Sequence, residues 1–197
     1  MKVVCGLGNP GAGYADTRHN VGWWVLDETR EAFGFPAFRR DGPVRWSDGR
    51  VGTHDVLLIK PLTYMNRSGA ALAPLIRRED FDVTGDLLVV VDDAALAVGR
   101  MRIRPGGSNG GHNGLRSVEA SLRTREYARL RIGVGSQPPG EDLADWVLSP
   151  MPREEEDIVR ARMPIAVDVV RVWIAEGVEA AARVAGSRAA TSEEEPE

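Results

Sequence analysis

The run LLVVV at residues 87–91 constrains this chain more than any other stretch. Five apolar residues without polar alternation do not suit a sheet with one face in water. They suit a strand buried on both faces, as at the centre of a parallel sheet covered by helices. The run ends abruptly in Asp92-Asp93. Two carboxylates at the tip of a buried strand are seldom there for folding alone; capping of the next turn is the plainer alternative.

A second apolar run, Val3-Val4-Cys5, opens the chain and leads into a Gly- and Asn-rich loop at residues 6–20. Such a loop after a first strand lies over the carboxyl edge of an α/β sheet, where ligands bind. It carries Asn9, Tyr14 and His19. Residues 20–33 then read as a helix, with Val21, Trp24, Val25 and Ala32 on one face and Trp23 off it. Residues 37–50 suit edge strands, and residues 56–59 a core strand stopped by Pro61. A loop at 63–66 should feed a helix over 68–78, capped by Ser68 or Asn66.

Residues 100–104 alternate, with Met101 and Ile103 opposite Arg100, Arg102 and Arg104. A second Gly-rich loop, PGGSNGGHNG at 105–114, precedes a helix with Leu115, Val118 and Leu122 on one face. In the strand after it, Arg129 and Arg131 share a face. Residues 100–131 hold eight Arg against Glu119 and Glu126, a local +6 in a chain of net charge −4. A basic face on an acidic protein fits a nucleic-acid footprint; the alternative is a solvated strand face. Residues 153–184 are amphipathic and helical, with a break expected at Pro164 and a stop at Gly177. A domain over residues 1–186 and an acidic, disordered tail over 187–197 are expected.

Several function classes are set aside. No apolar run approaches the ~20 residues needed to cross a bilayer, and Met1-Lys2-Val3 leads straight into a strand, without a signal-peptide pattern. One cysteine cannot form a disulfide framework, which fits a reducing cytoplasm. With three scattered histidines and that cysteine, no zinc-type site is expected. Gly6-x-Gly8-x-x-Gly11 matches the dinucleotide fingerprint, but Pro10 interrupts it and the helix opens too late. Gly106-x-Ser108-x-Gly110 matches a serine-hydrolase turn, yet the sole later histidine, His112, is four residues on and too close for that triad.

A better constellation has no side-chain nucleophile. His19, Asp92, Asn9, Asn66 and Asn113 all sit in loops at strand ends. A histidine oriented by a buried carboxylate is a general base, and without Ser or Cys in support its nucleophile is water. Carboxamides both donate and accept hydrogen bonds, which suits a peptide-like substrate and a developing oxyanion.

Five segments carry a resemblance: GLGNPG at 6–11, TRHNVG at 17–22, PLTYMNRSG at 61–69, GGSNGGHNGL at 106–115 and RLRIGVG at 129–135. Over residues 2–180 the chain resembles the bacterial peptidyl-tRNA hydrolases, a monomeric family with organellar members. The resemblance implies a single three-layer α/β/α domain around a mixed, mostly parallel twisted sheet. It implies hydrolysis of the ester between peptide and tRNA in the cytoplasm, with no cofactor, metal, membrane or obligate protein partner. Carried over by motif, His19 is the base, Asp92 its carboxylate, and Asn9 helps tell blocked from free aminoacyl-tRNA. Asn66 and Asn113, with Tyr14, Tyr64 and Met65, belong to the groove for the peptide and tRNA 3′ end. Arg102, Arg104 and Arg131 face tRNA phosphates. The oxyanion donor is a side-chain amide or a backbone N–H near Asn113-Gly114. One departure concerns residue 95, where the family usually has an acid and this chain has Ala95. Some relatives of the fold are RNA-binding splicing partners without hydrolytic activity, and that is the alternative.

Overall fold

Seven strands form where the apolar patterning places them: β1 (Lys2–Gly6), β2 (Arg39–Asp41), β3 (Val44–Val51), β4 (His54–Pro61), β5 (Leu87–Asp93), β6 (Met101–Arg104) and β7 (Ala128–Gly133). They make one sheet in the order β2-β3-β4-β1-β5-β7-β6, in a computed structural model that describes residues 1–187. The inner strands β4, β1, β5 and β7 are parallel. β3 and β6 run against their neighbours, so the sheet is mixed, with one direction dominant.

Every residue of β5 is buried, as its unalternating sequence requires. Its side chains alternate between two cores. Leu88 and Val90 join Val4 and a set that includes Val21 and Val25 of helix α1 (Val21–Ala32). Leu87, Val89 and Val91 join Val3, Cys5, Met65 and Leu72 on the other face. Each such side chain gains about 1.5–3 kcal/mol by leaving water. Two apolar faces therefore call for helices on both sides, and the result is three layers.

Helices α2 (Ala73–Ile76), α3 (Val83–Asp86), α4 (Asn113–Leu122), α5 (Leu143–Leu148), α6 (Arg153–Ala161), α7 (Met163–Glu176) and α8 (Val178–Ser187) complete the described chain. α4 contributes Leu115, Val118 and Leu122 to the second core, and α7 contributes Val169, Val170 and Trp173 to the first. Pro164 lies in the first turn of α7, after a break at Arg162, and Gly177 ends it at φ 86°. The tail expected over 187–197 falls outside the described residues, apart from Ser187 at the end of α8.

The helix expected over 68–78 does not form as one piece. Residues Met65–Leu72 make a 3-10 segment, and α2 is a short turn with Pro74 at its start. Two residues explain this. Pro74 has no N–H for the ladder. Gly69 lies so close to α4 that a Cβ would meet the Ser117 carbonyl oxygen at 2.2 Å. Neither Asn66 nor Ser68 acts as the cap; Ser68 Oγ instead donates to the Met65 carbonyl at 2.9 Å.

One close approach brings the first loop to the sheet tip. A Cβ on Gly22 would lie 2.5 Å from the Leu7 carbonyl oxygen and 2.6 Å from that of Val90. With no side chain there, the start of α1 rests directly on the ends of β1 and β5. His19, three residues earlier, is thereby brought to the level of Asp92.

Candidate active site

Asp92, one residue before the end of β5, is almost fully buried, and two rings meet one of its oxygens. His19 Nδ1 lies 2.8 Å from Asp92 Oδ1, and His112 Nε2 lies 2.9 Å from the same atom. The ring centroids are 4.9 Å apart. His112 Nδ1 accepts the backbone N–H groups of Gly114 and Leu115, capping α4. Its proton is therefore on Nε2, which donates to Asp92. His19 likewise donates from Nδ1, which leaves Nε2 as its basic nitrogen.

Burial alone would lower the pKa of His19, but the Asp92 carboxylate outweighs it and raises the pKa above the ordinary value. Burial would raise the pKa of Asp92; His19 and His112 together hold it far below the carboxylate range. The pair is a base and an anion kept anionic. His19, Asp92 and His112 also lie close enough to suggest a metal site. The capping pattern opposes it: a metal on His112 Nε2 would drive the proton to Nδ1, against two backbone N–H groups.

The pair opens into a cleft of about 640 Å³. Asn9, Tyr64, Met65, Asn66, Asn113 and Arg131 line it, alongside His112 and residues of α5. Asn9 is held from both sides. Its backbone N–H donates to Asn20 Oδ1 at 2.8 Å, and its carbonyl accepts from Asn20 Nδ2 at 3.0 Å. Its Oδ1 accepts the Met65 N–H at 2.8 Å, so Nδ2 is the atom left for a ligand. Arg18 ties this loop to α5 and α6. Its guanidinium stacks 3.5 Å from the Trp146 ring and donates to Ser149 Oγ and Glu155. The sole cysteine, Cys5, is buried in β1, and burial pushes its thiol up to about 12, which leaves no thiolate to act as nucleophile.

This geometry belongs with a known group. The family model described as peptidyl-tRNA hydrolase matches residues 3–193. The chain belongs to the peptidyl-tRNA hydrolase family. A peptidyl-tRNA hydrolase of Gemmatimonas aurantiaca is 49% identical over 186 residues, which span 92% of this chain and 97% of that protein. One from Symbiobacterium thermophilum is 44% identical over 91% of this chain and 96% of its own. The crystal structure of peptidyl-tRNA hydrolase from Acinetobacter baumannii superposes with a TM-score of 0.87 at 31% identity, covering 95% of each chain. These relatives lend no support to the non-catalytic alternative.

Within this peptidyl-tRNA hydrolase fold, not every expected residue reaches the cleft. Tyr14 is half-buried in the first loop and is not among the residues lining the cavity. Arg102 and Arg104 are exposed on edge strand β6, beside β7. Arg102 and Arg131 each lie 3.3 Å from Asp93 Oδ2, so the second carboxylate aligns two arginines. Arg129 departs from the basic face read from the sequence. It is 1% exposed, and its guanidinium donates to the carbonyls of Gly107, Ser108 and Arg125. It holds the Gly-rich loop rather than a phosphate.

Two residues escaped the sequence reading. Sequence spacing sets His112 only against a serine triad; its place before a helix with Asn113-Gly114 is the signal for a cap. Asn20 reads as a helix start; nothing local marks it as the clamp on Asn9, because the two meet only when the first loop folds over. Of the backbone donors expected near Asn113-Gly114, the Gly114 N–H already serves His112.

Proposed function

We propose that the chain hydrolyses the ester joining a peptide's C-terminus to the 3′ ribose of tRNA, with His19 as general base. The observation that carries this is the His19–Asp92–His112 cluster at the floor of a cleft lined by carboxamides, with Arg131 at its edge. His19 Nε2 takes a proton from water as its oxygen attacks the ester carbonyl. Asp92 stabilises the imidazolium that forms, and His112 keeps Asp92 in place and ionised. The tetrahedral intermediate collapses as the ribose oxygen leaves with the proton from His19. Asn9 Nδ2 and the Asn113 carboxamide are the donors left for the ester carbonyl and the neighbouring peptide amide. General base action supplies ~10²–10⁴ and an oxyanion donor ~10²–10³. That suffices for an ester, which is already activated.

Asn66 lies on the same rim, with Met65 forming an apolar floor and Tyr64 offering an exposed ring to the 3′ end. Arg102, Arg104 and Arg131 bind phosphates of the tRNA. A free aminoacyl-tRNA brings an ammonium that the carboxamides would have to desolvate without a counter-charge, so blocked substrates are favoured. It is read as a monomer working in the cytoplasm without an obligate protein partner. Among the described residues no helix is long and apolar enough to cross a membrane.

The test is release of N-acetyl-amino acid from N-acetyl-aminoacyl-tRNA, run against the unblocked ester. His19→Ala is expected to abolish turnover and to leave tRNA affinity within a few fold. Near-normal hydrolysis by that variant would remove His19 from the reaction.

A further inference from the structure

Helix α5 turns an apolar face to the cleft. Leu143, Ala144, Val147 and Leu148 line the cavity at helical spacing, and Asp145 and Trp146 lie off that face. Leu143 and Leu148 are each 39% exposed. Ala94 and Ala95 line the same cavity and offer only methyl groups. Hydrogen bonds through the loop after β7 join these two segments. Ser136 Oγ donates to the Ala94 carbonyl at 3.0 Å, the Gly135 N–H to the Leu96 carbonyl at 3.0 Å, and Trp146 Nε1 to the Gly135 carbonyl at 3.1 Å. Arg18, stacked on Trp146, fixes α5 beside the short turn that also carries His19. The result is a preformed aliphatic wall next to the base and open to solvent. Apolar side chains scattered singly over a surface need no explanation, but leucines grouped and left exposed in a cleft mark a ligand surface.

We infer that this wall receives the side chain of the amino acid esterified to the tRNA, so that esters of large aliphatic residues are turned over faster than those of polar residues of the same size. This rests on the hydrolase reading above and goes beyond it, since it concerns which amino acid carries the ester. The ester carbonyl must come within reach of His19 Nε2, and α5 stands beside the turn that bears His19. The side chain on the carbon next to that carbonyl is therefore the part of the substrate that meets α5. A nucleotide base is the poorer occupant, because bases stack on aromatic rings or guanidinium planes, and the cleft offers the Tyr64 ring for that. A closed hydrophobic pocket discriminates ~10–200-fold on one methylene. This wall covers one side of its guest only, so a preference of about three- to tenfold is expected.

Two substrates on the same tRNA isolate the effect: N-acetyl-leucyl-tRNA and N-acetyl-asparaginyl-tRNA. Their side chains match in size and are both neutral, so the carboxylates that line the cleft do not weigh on the comparison. The wild-type protein should give a higher kcat/KM for the leucyl ester by about three- to tenfold. Leu143→Gln with Leu148→Gln should bring the ratio to about one, and Leu143→Met with Leu148→Met, which keeps the wall apolar, should preserve it. Both positions are exposed and Gln and Met are good helix formers, so both variants are expected to fold. Equal turnover of the two esters by wild type, or the same loss of preference in both variants, overturns the inference and leaves the hydrolase reading intact. So does an unchanged ratio in the Gln variant, including an equal slowing of both esters, which would place the terminal base on the wall. Turnover of neither ester by wild type removes both readings.

Discussion

Asp92→Asn is the perturbation that isolates the charge at the heart of the site. Asn keeps the shape of Asp92 and one acceptor oxygen, so His19 Nδ1 at 2.8 Å can still donate. What it loses is the negative charge facing the imidazolium of the transition state. Taking the charge centres as about 4 Å apart and an effective dielectric near 20, that interaction is worth about 4 kcal/mol. A complete loss would slow the reaction by ~10³. The retained hydrogen bond returns part of it, so kcat should fall by ~10²–10³. A second signature follows from the titration of His19. The base works neutral, so activity is lost as pH falls through its pKa, which Asp92 raises above the ordinary value. With the carboxylate gone, burial still lowers that pKa and its main opponent is absent. The acid limb of the kcat/KM profile should move to lower pH, and the deficit of the variant should shrink toward acid. Single-turnover hydrolysis of N-acetyl-aminoacyl-tRNA across pH measures both. An acid limb unmoved by the substitution, or a kcat within about threefold of wild type, would refute the claim that Asp92 acts through its charge on His19.

Further expectations concern other parts of the fold. His112→Ala removes the cap of α4 and a donor to Asp92, and should cost about 1 kcal/mol in urea unfolding along with a fall in kcat; His112→Asn, itself a good cap, should restore stability but not full activity. Arg102→Ala with Arg104→Ala should weaken tRNA binding and flatten its salt dependence by ~0.7–0.9 per lost phosphate contact; an unchanged slope in filter binding would move the footprint off β6. Gly22→Ala should destabilise by roughly 2–4 kcal/mol, because its methyl would meet two carbonyl oxygens at 2.5 and 2.6 Å and the start of α1 would have to lift. Denaturant midpoints at equal m-value test this, and a shift under 0.5 kcal/mol would show that the helix gives way without cost.

Much of the fold was legible because burial on two faces leaves a direct mark. The unalternating run at 87–91 announced a central strand, and β5 carries apolar residues to both cores. The candidate site was legible for a different reason: His19, Asp92 and the three asparagines fall in loops at the ends of such strands. Local geometry was less readable. The 3-10 segment at Met65–Leu72 answers to the packing of Gly69 on α4, which helical periodicity does not reveal. Arg129 and Arg131 share one strand face by spacing, but Arg129 is buried against three carbonyls while Arg131 reaches the cleft. Tyr14 sits in the right loop and outside the cleft, because a loop's composition does not fix its path.

The amino-acid sequence by itself determined the parallel core, the two glycine-rich loops at its carboxyl edge and the chemical kinds of group gathered there. Those follow from patterns a few residues long: alternation, its absence, and turn residues. Only the tertiary structure decided that one carboxylate oxygen serves two histidines 93 positions apart in their range of chain, from His19 to His112, with Asp92 between. Hydrogen-bond partnership at that separation depends on how the layers pack, since residues distant in sequence carry no local sign of the neighbours that will fix their protons.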